Sequence, residues 1–244
     1  MNRLRTFFAI LLLLLISCGK NKNQITLSFT NADGEVPSLG NLSFSFNQVI
    51  AADSIHYKWI EDEYISFNPP IEGQFRWTSA SELSFTPNGP LPPATNFTGE
   101  FNDALLELNR TFKSADLPEL SFYTTGLKLE SANLHWFLDE SGATSAKLEM
   151  QFNYSINTAD LADKIVLSFN GKDFELDLIS DEQSTYASFL LAEFFPEDID
   201  YNFDLTLEKG LNPIGGSNAM PEDVNELLIL KSPYQIDILE TEAD

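Results

Sequence analysis

The chain has 244 residues, with 37 acidic and 14 basic side chains and a formal net charge of −23. A charge of this sign repels phosphate backbones, so we expect no nucleic-acid partner. The one cysteine permits neither an intrachain disulfide nor a cysteine-based metal site. The length fits two domains, and 20 phenylalanines against three methionines favour β-structure over helical bundles.

Residues 1–17 have the pattern of a secretory signal peptide. Arg3 and Arg5 precede an apolar run at residues 7–16. This run is shorter than the roughly 20 residues that span the hydrocarbon core of a bilayer. We therefore expect an exported chain from which this segment is removed.

The sequence Leu-Ile-Ser-Cys at residues 15–18 resembles the lipobox of bacterial lipoproteins. That resemblance implies cleavage before Cys18 and acylation of this cysteine, which makes membrane lipid a partner. Several acyl chains anchor a protein stably, whereas one chain alone binds only marginally. The alternative is an ordinary signal peptide followed by a cysteine placed by chance.

Residues 18–24 form a polar tether. Gly19, and not an aspartate, follows the cysteine, so the sequence carries no signal for retention at an inner membrane. We expect a lipid-anchored protein of the cell envelope, at the outer membrane and facing either the periplasm or the cell surface.

Residues 25–126 are predicted to form a first β-sandwich, because apolar residues alternate with polar ones as in strands with one buried face. Prolines fall between most of these runs, where a missing N–H breaks no strand pairing. The alternating apolar positions are Ile25, Leu27, Phe29, Leu42, Phe44, Phe46, Phe75, Trp77, Leu83, Phe85, Phe97, Phe101, Leu120 and Phe122.

Residues 127–233 are predicted to form a second β-sandwich, of a size typical of immunoglobulin-like domains. Alternation is clearest at residues 148–156 and 201–207. Residues 165–169 and 172–178 flank Asn170-Gly171, a tight-turn pair, and so predict a hairpin. Short helical turns are expected only at residues 104–108 and 159–164. The fold class is therefore all-β, with two immunoglobulin-like β-sandwiches in series.

Residues 68–97 carry the most specific pattern. It consists of P-x-I-x-G-x-x-x-W from Pro69 to Trp77, then L-x-F-x-P at residues 83–87 and L-x-P-x-T-x-F at residues 91–97. This pattern resembles the macroglobulin-type domains at the N-terminus of bacterial α2-macroglobulin-like lipoproteins, and the related bacterial immunoglobulin-like domains. Gly73 is interpreted as permitting a bend into the next strand. Ala94 departs from the pattern at a turn position often held by glycine.

The family resemblance implies a protease inhibitor. Its members trap proteases after cleavage of a bait segment, and some carry a Cys-x-Glu-Gln thioester. Neither feature can be assigned here. Because the one cysteine, Cys18, is taken up by the lipobox, we expect no thioester in this chain, and the expected role is that of a membrane anchor and first ring domains. Proteases are partners through the longer family protein.

Residues 234–244 form either a tail or the start of a further domain. Residues 234–239 alternate like an opening strand without a partner in the chain, which favours a fragment of a longer polypeptide. The alternative function is a self-contained lipoprotein whose tandem domains bind a glycan or a partner protein.

A search for chemistry yields no catalytic, cofactor-binding or metal site, so we predict no enzyme and no cofactor. His56 and His135 lie 79 positions apart, too far for a local metal motif. The acidic runs at residues 61–63 and 197–200 lack the spacing of a calcium loop and are interpreted as solvated turns. Trp59, Tyr64 and Trp136 could form a carbohydrate-stacking platform, but in a β-sandwich such aromatic residues are more often core or interdomain contacts, which is the favoured interpretation.

Overall fold

The computed structural model of the chain describes residues 24–108, 114–138, 142–192 and 197–234. These residues form two compact units. The first takes the described parts of Met1–Gly34, Leu39–Gly89 and Phe97–Phe122, and the second those of Glu35–Ser38, Pro90–Asn96 and Tyr123–Asp244. The signal segment, Cys18 and nearly all of the tether lie outside the described residues, as does the predicted strand after Tyr234.

The described residues form strands throughout, with three short helical segments. The helices are a 3-10 turn at Asp53–Ile55, α1 at Asp103–Glu107 and α2 at Thr158–Ala162. The strands are β1 (Gln24–Thr30), β2 (Asp33–Val36), β3 (Leu42–Phe46), β4 (Trp59–Ile60), β5 (Ile65–Asn68), β6 (Gly73–Ser79), β7 (Glu82–Pro87), β8 (Asn96–Phe101), β9 (Ser114–Asp116), β10 (Leu120–Thr124), β11 (Leu129–Leu138), β12 (Thr144–Asn157), β13 (Ile165–Phe169), β14 (Lys172–Phe174), β15 (Leu176–Leu178), β16 (Gln183–Leu191), β17 (Tyr201–Leu207) and β18 (Val224–Leu230).

The first ten strands form two sheets. The larger has the order β4-β6-β7-β3-β1-β9, and the smaller has the order β2-β10-β8-β5. Rings from both sheets interdigitate: Phe67 lies 4.9 Å from Phe85, and Phe44 lies 5.9 Å from Phe101, between ring centroids. Edge-to-face and tilted pairs of this kind add to the stability that burial of the rings supplies.

The remaining strands form a second pair of sheets, with the orders β11-β12-β16-β15 and β14-β13-β17-β18. Their shared core is more aliphatic, and buried residues of β12, such as Leu148 and Met150, alternate with half-buried ones. The prediction of an all-β chain with two immunoglobulin-like β-sandwiches is confirmed. The limits given from the sequence, 25–126 and 127–233, remain a prediction.

The hairpin predicted at Asn170-Gly171 is present. Both residues have positive φ angles, 53° and 75°, and Phe169 pairs with Lys172 across the turn. The segment after the turn differs from the prediction of one strand, because it changes sheet at Glu175. β14 pairs with β13, whereas β15 pairs with β16 in the opposite sheet.

The L-x-P-x-T pattern forms a turn within the second unit. Ala94 has a φ of 44°, which explains why glycine suits this position. The buried Thr95 N–H donates to Thr124 Oγ1 at 3.0 Å, and that hydroxyl donates to the carbonyl of Pro92 at 2.6 Å. The motif therefore satisfies buried polar groups without a regular strand pairing.

Two sequence interpretations are wrong in detail. Phe29 was expected on the buried face of β1, but it is 60% exposed, because the pairing of β1 with β3 shifts between Leu27 and Phe29. Gly73 is not a bend residue. It opens β6, and a Cβ at this position would collide with the Phe85 ring and with the carbonyl oxygen of Thr86.

The predicted helical turns at residues 104–108 and 159–164 are confirmed as α1 and α2, shifted by one or two residues. Asn157 caps α2, accepting from the N–H groups of Ala159 at 2.9 Å and Asp160 at 3.4 Å. Within the described part of the chain, no helix has the length and apolar character needed to cross a bilayer.

Candidate binding cleft

The first unit contains a cleft with a volume of about 410 Å³, next to the edge strand β4. Buried Ile65, Phe75 and Phe85 line it from the core side. Exposed carboxylates line it from the solvent side, and they belong to Glu61, Asp62, Glu63 and Glu72. The cleft is thus apolar at its base and anionic at its mouth.

Strand β6 shapes the base of this cleft. Gly73 and Phe75 both line it, and Gly73 lies against the Phe85 ring, where no larger residue fits. Phe75 and Phe85 pair across β6 and β7, with ring centroids 4.8 Å apart. Because Gly73 has no side chain, the Phe85 ring lies close to its backbone, and Phe85 in turn packs on Phe75. This packing sets the shape of the apolar base.

At the mouth of the cleft, the backbone of Glu63 is held in place by Asn102 and by the buried residue that follows it, Tyr64. The Asn102 side-chain amide donates to the carbonyl of Glu63 at 2.9 Å, and Tyr64 is only 1% exposed. Burial raises the pKa of the Tyr64 hydroxyl, the Trp77 indole lowers it in part, and the nearby Asp62 carboxylate raises it. Tyr64 is therefore a core residue, which agrees with the favoured interpretation of these aromatic residues and excludes Tyr64 from an exposed stacking platform.

Two exposed aromatic side chains precede the cleft in sequence. Trp59 is 50% exposed on β4, and the Arg76 guanidinium lies 4.7 Å from the centroid of the indole. Tyr57 is 72% exposed and has a φ of 61°, a rare conformation for a bulky residue. Its backbone N–H donates to the carbonyl of Trp77 at 2.8 Å, which holds this part of the chain on the sheet.

The second acidic run, residues 197–200, is used differently. Asp200 Oδ2 accepts from Lys231 Nζ at 2.7 Å, and Asp200 Oδ1 accepts from the Ser232 N–H at 3.0 Å. The Ser232 hydroxyl donates to Asp198 Oδ1 at 2.8 Å. These bonds hold the pKa of Asp200 below its ordinary value, with the Lys231 hydrogen bond as the largest cause. These bonds attach the acidic run to residues 231 and 232, and this group of bonds is called the acidic clamp below.

The remaining candidates do not converge on a site. His56 Nδ1 lies 3.8 Å from Asp53, and His135 Nδ1 lies 4.0 Å from Glu149. Trp136 is partly buried, and its indole N–H donates to the carbonyl of Lys231 at 2.6 Å. In the described ranges no three His, Cys, Asp or Glu side chains stand close enough to hold a metal ion.

Sequence comparison gives one informative relative. No family model matches the chain. An alpha-2-macroglobulin homolog of Yersinia pestis is 24% identical over 219 residues, which is 84% of this chain and 10% of that protein. The chain therefore spans about a tenth of the length of the relative it matches. This match confirms the alpha-2-macroglobulin-like resemblance, at low identity.

Solved structures give only distant likenesses. An L,D-transpeptidase from Mycobacterium smegmatis has a TM-score of 0.28 at 10% identity, covering 86% of this chain and 90% of that one. Bovine butyrophilin has a TM-score of 0.27 at 8% identity, covering 83% and 97%. Scores this low assign neither a fold nor a function.

Sequence reasoning found part of the cleft. It singled out the acidic run at residues 61–63, but it missed Glu72. Glu72 carries no local signal, because a lone glutamate is common on any surface. Trp59, which the sequence also singled out, pairs with Arg76 on the face of the sheet away from Phe75 and does not line the cleft.

Proposed function

We propose that the chain is the membrane-anchored N-terminal segment of a bacterial alpha-2-macroglobulin-like protease inhibitor, and is not itself an enzyme. The observation that supports this is the match to the Yersinia pestis alpha-2-macroglobulin homolog across 84% of the chain. The two β-sandwiches would serve as structural domains of a larger trap, and proteases would be its targets.

The anchor in this proposal is acylated Cys18, in the outer membrane of the cell envelope. Cys18→Ala should move the protein from the membrane fraction to the soluble fraction, because the tether itself is polar. Immunoblotting of the two fractions measures this. Ser17→Ala is the matched control, since it keeps a small residue before the cysteine and should leave the protein in the membranes. An unchanged distribution for Cys18→Ala would contradict lipid anchoring.

The inhibitor role is tested on the native product, purified from its own cell and incubated with trypsin. An enclosed protease is expected to lose activity against a large protein substrate while it still cleaves a small chromogenic peptide. An immunoblot of the same material should show a band several-fold larger than the 27.4 kDa of this chain. Equal activity on both substrates would argue against the trap.

A second candidate is a self-contained lipoprotein that binds a glycan or a partner protein. It is favoured by the half-exposed Trp59 on the edge strand β4, because exposed aromatic residues are typical of binding surfaces. A native band near 27 kDa, together with unchanged trypsin activity, would favour this function.

A further inference from the structure

The outer face of the larger sheet in the first unit is rich in hydroxyl and amide groups. Phe44, Phe75 and Phe85 are buried, so the residues that alternate with them along β3, β6 and β7 point away from the core. Four of these outward residues are polar, uncharged and at least partly exposed, and a fifth is polar but buried: Ser43, Ser45, Gln74 and Thr86, with Ser84 between them. We call this surface the hydroxyl face.

The hydroxyl face carries little charge in a chain whose net charge is −23. Its charged residues on β6 and β7 are Arg76 and Glu82, which have opposite signs, and Thr78 Oγ1 donates to Glu82 Oε2 at 3.3 Å. The chain as a whole repels a polyanion, and Arg76 repels a cation that approaches this face. The charge distribution therefore suits an uncharged ligand.

Arg76 has hydrogen-bond donors that the protein does not use. In the described part of the chain it forms no ion pair, and its Nε is shielded from solvent without a hydrogen-bond partner. Buried donors without a partner are uncommon in folded proteins, because each costs free energy. A hydroxyl-rich ligand beside Arg76 would supply acceptors to its guanidinium.

Two exposed aromatic side chains lie at opposite ends of the hydroxyl face. Four residues stand opposite one another on adjacent strands: Trp59, Arg76, Ser84 and Ser43. Trp59 ends this row at the edge strand β4. At the other end, Phe29 of β1 pairs with Ser45 and is 60% exposed. Four strand spacings, or roughly 19 Å, therefore separate the two rings across the sheet.

The Trp59 ring is held in position from within the protein. The Arg76 guanidinium lies 4.7 Å from the centroid of the indole, yet half of the Trp59 side chain remains exposed. A ring that is already positioned loses little conformational freedom when a ligand binds. It can stack on the C–H face of a sugar, whose hydroxyls would then meet the polar side chains of the sheet.

We propose that the hydroxyl face, with Trp59 and Phe29 at its ends, binds an uncharged β-1,4-linked glycan. This linkage gives a flat, extended chain, which is the form needed to cross several strands from one ring to the other. The inference rests on the second candidate function above, and it narrows that function to a glycan and to one face of the first unit. It does not depend on membrane anchoring or on protease inhibition.

A partner protein matches this face less well. The fully buried centre of a protein interface is mostly apolar. Between Trp59 and Phe29, however, the described outward residues of β3, β6 and β7 are polar. Their hydroxyl and amide groups can exchange hydrogen bonds with sugar hydroxyls, whereas an apolar surface would leave them without partners.

The test measures binding of cellohexaose to the full-length chain in detergent micelles by isothermal titration calorimetry. We expect saturable binding, and Trp59→Ala should raise the dissociation constant about tenfold, because buried aromatic contacts dominate binding energies. Arg76→Gln should raise it several-fold through the loss of donors. Phe29→Ala should weaken binding of cellohexaose but not of cellotriose, which is too short to reach both rings. Melting curves like that of the wild type verify that each variant is folded.

The matched control is Tyr186→Ala, which removes a 57% exposed aromatic side chain from the second unit. It should change the dissociation constant less than twofold. The proposal is overturned if cellohexaose does not bind saturably, if Trp59→Ala binds it like the wild type, or if Tyr186→Ala weakens binding equally. Tighter binding of a hexamer of galacturonic acid would also overturn it, because the face would then select an anion. The size of the native product and the trypsin assay test the second candidate function separately, so the two failures can be told apart.

Discussion

The two acidic runs look alike in sequence but behave differently in the structure. The side chains of residues 61–63 line a cleft and form no ion pair with a described basic residue. Asp198 and Asp200, in contrast, are bonded to Lys231 and Ser232. The difference lies in the donors that reach the carboxylates. Those of the second run bond to Lys231 and Ser232, more than 30 positions later, whereas in the described residues Asn102 reaches only the backbone carbonyl of Glu63 and no donor bonds to the carboxylates of the first run. A run of acids therefore indicates unpaired carboxylates only when the segments that return to it carry no donor for them.

The tryptophans of the first unit, Trp59 and Trp77, also differ, in this case in how far each side chain is exposed to solvent. Trp77 is fully buried, with its ring centroid 5.9 Å from that of Phe46 and 6.0 Å from that of Tyr64. Trp59 lies on the edge strand and is half exposed. One indole thus belongs to the core, and the other lies at the surface beside Arg76.

The largest effect is expected for Trp77→Ala. Removal of this ring leaves a cavity among aromatic neighbours, so the free energy of unfolding should fall by about 3–5 kcal/mol. Urea denaturation monitored by circular dichroism measures it. Trp59→Ala is the control, and its half-exposed ring should cost far less. Equal losses for the two variants would refute the distinction between a core and a surface tryptophan.

A smaller effect is expected at Gly73, where the base of the cleft meets the core. A methyl group in Gly73→Ala would collide with the Phe85 ring and with a backbone carbonyl, so we expect a loss of about 1–3 kcal/mol. Gly89→Ala is a matched control, because a Cβ there meets no atom within 4 Å. Its unfolding free energy should stay within about 0.5 kcal/mol of the wild type.

Thermal denaturation of both glycine variants measures these differences. An unchanged melting temperature for Gly73→Ala would mean that the close approach to Phe85 relaxes at little cost.

The sequence predicts this fold where its signals are local. Asn170-Gly171 fixed a hairpin because few other residues adopt positive φ angles at two successive positions. The alternation of residues 172–178 identified extended chain, but it gave no reason for the change of sheet at Glu175. Phe29 was misassigned for a similar reason, since a shift in strand pairing depends on the partner strand.

The candidate site was less predictable than the fold. Trp59 and Tyr64 are both aromatic, lie five positions apart and flank the same acidic run, yet one is half exposed and the other is buried. Trp59 pairs with Arg76 on the outer face of the edge strand β4, whereas Tyr64 packs against the rings of Phe75 and Trp77. No local pattern shows this difference. Glu72 joins the run at residues 61–63 only through the fold of the intervening chain.

The smallest expected effect concerns the acidic clamp of the second unit. Lys231 and the Ser232 N–H hold the pKa of Asp200 below its ordinary value, because they favour its ionised form. The folded state therefore gains stability above the pKa of the unfolded aspartate, about 3.9, and loses this stability as the pH falls through the lower pKa of the folded state.

Asp200→Asn should lower the melting temperature slightly at pH 6 and flatten its decline between pH 4 and pH 2. The effect is small because the pair is exposed and screened by solvent. Asp173→Asn, at an exposed position of the same unit, should follow the wild-type curve. If Asp200→Asn follows it too, these bonds are not a clamp, and the two acidic runs are alike after all.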